Sequence, residues 1–254
     1  MVRIKNHFFY AYAGNKRNEC NDIFNYIKND IEKYNNIIEP FCGSCAFSVF
    51  MSKLYPLKFK YILNDLDTRL IELLNLSRDK VALEEFLIIL NNNVIGLNKI
   101  KYKEIIETDT LLGYVIKRLI YSITPGLFPL DYKEKVYTFD NLDIVKFMRT
   151  EKITLSSVDG LDIVNQYKYV ENTFIFLDPP YLLSNNEFYK MKKGVNIYEY
   201  LTINGMNDFK SWLLFVIERN WITGYIFKDY IKEEWNKNYE MSKKKTTHII
   251  VSNK

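Results

Sequence analysis

A chain of 254 residues has room for one α/β domain with an insertion, or for two small domains sharing an interface. Its 48% hydrophobic and 26% charged residues exclude a disordered or fibrous polymer and predict a folded, soluble protein. No apolar run approaches the ~20 residues of a membrane-spanning helix, and the net charge of +4 permits a polyanionic partner without requiring one.

The three cysteines, Cys20, Cys42 and Cys45, form an odd set with no signal peptide before them. That argues against a disulfide framework and for a reducing compartment, hence a cytoplasmic location, or a nucleoplasmic one in a eukaryote.

Near the N-terminus, Tyr12-Ala13-Gly14-Asn15-Lys16 reads as a turn carrying a cation. A lysine in a loop is more often just a solvated charge. The run Ile37-Ile38-Glu39-Pro40 then ends in Phe41-Cys42-Gly43-Ser44-Cys45, and Ala46 to Leu54 is apolar enough for a buried helix. This is a strand, a tight turn and a helix. Lys60 to Leu63 forms a second short strand ending at Asn64-Asp65, and Thr68 to Leu76 resumes a helical pattern. The alternation predicts a parallel sheet.

From residue 83 to 148 the pattern changes to mixed polar, helix-forming and aromatic residues, with Lys101, Lys103, Lys117 and Arg118 among Tyr102, Tyr114 and Tyr121. This stretch is expected to be an inserted helical subdomain, with 1–82 and 149–254 forming the main domain. Strand character returns at Ile153-Thr154-Leu155 and at Thr173 to Leu177, a continuous apolar run typical of a central strand buried on both faces. Downstream, a helix is expected around Asn207 to Glu218, a strand near Trp221 to Phe227, and a last strand at Thr247 to Val251.

The segment richest in chemistry is Asp178-Pro179-Pro180-Tyr181, directly after the Thr173 to Leu177 strand. Ligands of open α/β sheets sit beyond the carboxyl ends of the strands. Two consecutive prolines fix φ and remove two backbone donors, so acceptors outnumber donors there. The Asp178 carboxylate and the Pro179 carbonyl can each accept a hydrogen from a planar amine, and Tyr181 offers a face on which an extruded base can stack.

The turn at Gly43 lets a nucleotide-like ligand approach the backbone at a helix start, and Asp65, about 20 residues later, stands where an acidic side chain can bond ribose hydroxyls. Cys42-Gly43-Ser44-Cys45 is also a C-x-x-C pair, the basis of a thiol-disulfide alternative; buried packing is the blander reading of both thiols. His7 and His248 are too remote in sequence to suggest a metal site.

Taken in order, Tyr12-Ala13-Gly14-Asn15-Lys16, Phe41-Cys42-Gly43-Ser44, Leu63-Asn64-Asp65, an insertion, and Asp178-Pro179-Pro180-Tyr181 resemble the Dam-type, D12-like DNA adenine N6-methyltransferases of bacteria and phages. His248 to Asn253 looks like their closing strand. The resemblance implies an α/β, Rossmann-like S-adenosylmethionine-dependent methyltransferase sheet with an inserted, mostly helical target-recognition subdomain. It implies that Tyr12, Gly14, Asn15, Lys16, Glu39, Phe41, Cys42, Gly43, Asp65 and Asp159 line the cofactor pocket, with Asp178 reaching it. Asp178, Pro179, Pro180 and Tyr181 match the catalytic motif, acting on a flipped adenine of double-stranded DNA without a metal.

Three positions depart from the family pattern. Gly160 replaces the usual aromatic after Asp159, Cys45 stands where Gly is common, and Tyr121 to Phe128 differs from the hairpin of GATC-reading members, so GATC is not assigned. Phosphate contacts are expected from Lys101, Lys103, Lys117 and Arg118, with Tyr121 beside them, and from Lys190, Lys192 and Lys193 after the catalytic turn. The same tetrapeptide would also suit RNA or a protein amide. A nucleic-acid-binding homologue without catalysis is the remaining alternative, and the oligomeric state stays open.

Overall fold

The computed structural model describes residues 4, 7–12, 14–120, 127–180, 197–239 and 244–254. Among the described residues, seven strands form one sheet: β1 (Asn36–Glu39), β2 (Lys60–Asn64), β3 (Lys152–Ser156), β4 (Thr173–Leu177), β5 (Trp212–Glu218), β6 (Ile231–Tyr239) and β7 (Lys244–Ser252). Their order is β3-β2-β1-β4-β5-β7-β6, with β1 to β5 mutually parallel and β7 antiparallel to both β5 and β6. The helices are α1 (Cys20–Ile27), α2 (Ala46–Leu54), α3 (Thr68–Leu76), α4 (Lys80–Val94), α5 (Lys99–Glu107), α6 (Leu111–Ile120), α7 (Asp143–Thr150), α8 (Gly160–Tyr167), α9 (Ile197–Asn204) and α10 (Trp221–Ile226). The expected Rossmann-like α/β sheet is therefore present, and the long connection from β2 to β3 is helical. Among the described residues no helix is long and apolar enough to cross a membrane.

The chain divides into two compact units. One holds 19–42, 58–67 and 152–254, which includes every strand; the other holds 1–18, 43–57 and 68–151 and is built from helices.

In the sheet unit, every residue of β4 is buried. Alternate residues of the parallel strands, among them Ile38, Ile62, Ile175, Leu177, Leu213 and Phe215, share one core with Ile163 and Val164 of α8, Leu201 of α9 and Phe227 just after α10. Where β7 closes the sheet, His248 is fully buried and its Nδ1 lies 2.6 Å from Glu19 Oε2, while Lys237 of β6 pairs with the other Glu19 oxygen. A carboxylate buried this deeply requires such partners.

In the helical unit, side-chain caps begin α4 and α5: Asp79 accepts from the Val81 and Ala82 N–H groups, and Asn98 from those of Ile100 and Lys101.

Two expected elements are exchanged. The helix expected at Asn207 to Glu218 is strand β5: its Trp-Leu-Leu-Phe-Val-Ile run is buried on both faces, a pattern whose periodicity does not separate strand from helix. The strand expected near Trp221 is helix α10, because Asn220 and Thr223 close a capping box around its first turn. The strand expected at Thr247 to Val251 lies within β7.

Candidate active site

Chain order runs outward from β1 through β2 to β3, then returns to the other side of β1 as β4 and continues to β5. The crevice between the carboxyl ends of β1 and β4 is thus the topological switch point, where open α/β sheets bind ligands. Glu39-Pro40-Phe41-Cys42 leaves one flank of this point and Asp178-Pro179-Pro180 leaves the other.

Asn64, the last residue of β2, organises the turns on the β1 side. Its side chain is fully buried; Nδ2 donates to the Pro40 carbonyl at 2.9 Å and to the Val158 carbonyl at 3.0 Å. Its Oδ1 accepts from Ser156 Oγ at 2.9 Å and from the Val158 N–H at 3.0 Å. The Asn64 carbonyl accepts from the Cys42 N–H at 2.8 Å. One amide thereby ties the ends of β1, β2 and β3 together. Sequence reasoning noted Asn64 only as the neighbour of Asp65, since its partners lie 24 and up to 94 residues away.

Asp65 follows, half-buried; its N–H donates to the Ser156 carbonyl at 3.3 Å, and its carboxylate accepts from the Asp67 N–H at 3.0 Å. Asp159 caps α8, accepting from the Leu161 N–H at 3.0 Å. Glu39 and Cys42 are both buried.

Gly160, the departure from the family pattern, has a physical reason in this chain. A Cβ added there would lie 2.5 Å from Phe41 Cε1 and 3.1 Å from the Pro40 carbonyl oxygen. The Phe41 ring occupies the space that a side chain at 160 would need.

On the β4 side, Asp178 and Pro180 are half-buried and Pro179 is buried. Tyr198 of α9, itself buried, donates to the Pro180 carbonyl at 3.3 Å. Sequence reasoning missed Tyr198, which no motif marks. The expected site residues Tyr121, Tyr181, Lys190, Lys192 and Lys193 lie outside the described residues.

The remaining expected cofactor residues belong to the helical unit. Gly43 has φ +46°, in the left-handed region, and a Cβ there would meet the Tyr12 ring at 3.0 Å. Lys16 is buried rather than solvated, and its Nζ reaches the Gly14 carbonyl at 3.4 Å; Asn15 Oδ1 accepts from the Arg17 N–H at 2.7 Å. Cys45 adopts φ 55° at the start of α2, so the position where Gly is common keeps a left-handed conformation without one. All three cysteines are buried and no disulfide joins them.

His7 is also buried, and neither ring nitrogen makes a hydrogen bond of full geometry. Burial pushes its imidazole down to about 4, against upward pulls from the Ser44 backbone and the Asp143 carboxylate.

Of the expected phosphate-binding residues, Lys103 makes an exposed i,i+4 pair with Glu107, and Lys101 and Lys117 are half-exposed. The Arg118 guanidinium lies 3.5 Å over the Tyr114 ring. Among the described residues, no group of three or more His, Cys, Asp or Glu side chains converges as a metal site would need.

A mostly parallel sheet whose switch point is flanked by these two turns defines a Rossmann-like α/β domain. Residues 12–112 match the family model described as D12 class N6 adenine-specific DNA methyltransferase, about two-fifths of the chain. The match bears out the resemblance read from the motifs over that stretch and supports a methyltransferase; it ends before Asp178.

Among solved structures, "Putative methyltransferase yhhF" of Escherichia coli is similar at 11% identity and TM-score 0.44, over 99% of this chain and 97% of that one. A "putative methylase" of Haemophilus influenzae aligns at 12% identity and TM-score 0.38, over 92% and 88%. The N-terminal domain of human METTL16 in complex with SAH aligns at 5% identity and TM-score 0.38, over 93% and 68%. At these scores the likeness is loose, and the fold rests on the strand order above. No curated protein matches the chain.

Proposed function

We propose that this chain transfers a methyl group from S-adenosylmethionine to the N6 amine of adenine in DNA. The observation that carries the reading is the placement of an acceptor-rich turn, Asp178-Pro179-Pro180, across the switch point from the stapled turn Pro40-Phe41-Cys42. The residues present fit the donor: Asp65 offers a half-buried carboxylate at the end of β2 for ribose hydroxyls, and Phe41 and Asp159 offer a ring and a carboxylate for an adenine.

When bound, S-adenosylmethionine supplies a methyl group made electrophilic by its sulfonium. Asp178 and the Pro179 carbonyl accept the two amine hydrogens of the target adenine, which draws the nitrogen lone pair out of conjugation with the ring. With the donor bound in line, that lone pair would take the methyl group as its bond to sulfur broke, and the amine proton would pass afterwards to solvent. Asp178 therefore acts by orientation and by favouring positive charge on the amine, and needs no raised basicity. Tyr181 is assigned the stacking face for the extruded base. Lys101, Lys117 and Arg118 are assigned to DNA phosphates, Lys103 joining them if its exposed pair with Glu107 opens.

The test is transfer of labelled methyl to DNA, RNA and protein offered separately, with the modified nucleoside identified after digestion. N6-methyladenine in DNA is the expected product. Label in RNA or protein alone would replace the DNA reading, and no label in any of them would remove the enzymatic one.

A further inference from the structure

We infer that Asn64 is a positioning residue of the donor site: its buried amide fixes the turns that carry Phe41, Asp65 and Asp159, and so sets donor affinity without touching the donor. The inference rests on the reading of this edge as an S-adenosylmethionine site.

The side chain uses its full hydrogen-bonding capacity, two donors and two acceptors, on Pro40, Ser156 and Val158. Each partner sits in a different relation to the expected contacts. Pro40 precedes Phe41, whose ring lies against Gly160; Val158 precedes Asp159; Ser156 ends β3 and its carbonyl receives the Asp65 N–H. Strand pairing fixes these strands only as far as Glu39, Asn64 and Ser156. Beyond those residues the ladder thins to the Cys42 N–H on the Asn64 carbonyl and the Asp65 N–H on the Ser156 carbonyl, and the Asn64 amide adds four side-chain bonds there. Val158 is 42% exposed, so apolar burial does little to hold that turn. The directional bonds are what locate it.

Asp is the diagnostic replacement because it keeps the shape and removes both donors. In Asn64→Asp a carboxylate oxygen would face the Pro40 and Val158 carbonyls, and the two turns would move apart.

Donor binding is measured by calorimetry with S-adenosylmethionine and with its demethylated product, and the apparent KM for donor and for DNA are measured separately. Asn64→Asp is expected to weaken both ligands about tenfold or more and to raise the donor KM, leaving the DNA KM within about twofold. Ser156→Ala, which removes one of the four bonds from a half-buried position, is expected to weaken the donor about two- to fivefold and covers the case in which Asn64→Asp does not fold. Wild-type affinity in both variants overturns the inference while leaving the proposed function standing. A parallel rise in both KM values overturns it as well, since that reports general loosening. Absence of binding to the unaltered protein overturns both readings together.

Discussion

The carboxyl edge of the sheet and the aromatic cluster of the helical unit are held by opposite means. At the sheet edge, one amide and the turns around it make directional hydrogen bonds, with distances from 2.8 to 3.3 Å. In the helical unit, Phe8, Tyr10, Tyr12 and Tyr114 meet ring against ring at centroid separations of 5.1 to 6.4 Å, with Arg118 laid over Tyr114. Hydrogen bonds fix position to a fraction of an ångström and fail abruptly when one partner is removed; ring contacts are tolerant and scale with the area lost. The turns assigned to the donor therefore sit where geometry is set most strictly. Substitutions should be sharp in effect at the edge and graded in the cluster.

The largest effect is expected from Asp178→Ala. Removing one of two acceptors for the amine should lower kcat about 100-fold or more, well beyond any loss of donor affinity by calorimetry. Retention of more than about a tenth of wild-type turnover would detach Asp178 from the chemistry.

Next is the acid response of the helical unit. His7 is held below its ordinary value of 6.5, at about 4, so the folded state prefers the neutral ring. Its contribution is fully present above pH 6.5 and is lost as pH falls through the window from 6.5 toward 4, amounting to about 3 kcal/mol. Urea unfolding at pH 7, 5.5 and 4.5 should show this slope, and His7→Leu should flatten it. Equal slopes in the two proteins would assign acid sensitivity elsewhere.

Gly160→Ala tests how closely the sheet edge is fitted. The added methyl would stand 2.5 Å from the Phe41 ring, which must then move, at a cost of about 1–3 kcal/mol. Pairing it with Phe41→Leu should recover part of that loss. A Gly160→Ala protein as stable as the unaltered chain, with unchanged donor affinity, would show that Phe41 has room to spare.

The sequence was informative where a signal is local. Strand β4 and its Asp178-Pro179-Pro180 turn were visible because a continuous apolar run ended at two prolines, and β1 and β2 because short apolar runs ended at Gly43 and Asp65. Strand β5 and helix α10 were exchanged because six consecutive buried residues carry no period, and because the capping box at Asn220 and Thr223 outweighed the strand preference of Trp221 and Tyr225. Nothing local marks Asn64, Tyr198 or the Glu19–His248 contact, whose partners lie 18 to 229 residues away. The Gly160 departure became intelligible only with the Phe41 ring beside it. Candidate residues marked by a local motif could thus be named from the sequence, whereas those that hold the turns in place could not.

The smallest effect separates the two kinds of contact inside one side chain. Tyr10 belongs to the aromatic cluster through its ring and to a polar pair through its hydroxyl, 3.2 Å from that of Tyr114. Tyr10→Phe keeps the ring against Phe8 and Tyr12 and removes only a partly buried hydroxyl contact, for which about 0.5–1.5 kcal/mol is expected. Tyr10→Leu removes ring stacking as well and should cost more, in proportion to the lost contact area. If the cluster is held by rings, unfolding midpoints should fall in the order wild type, Phe, Leu. Equal losses in both variants would mean that the hydroxyl pair, and not the stack, holds this arm, and the helical unit would then depend on directional bonds as the sheet edge does.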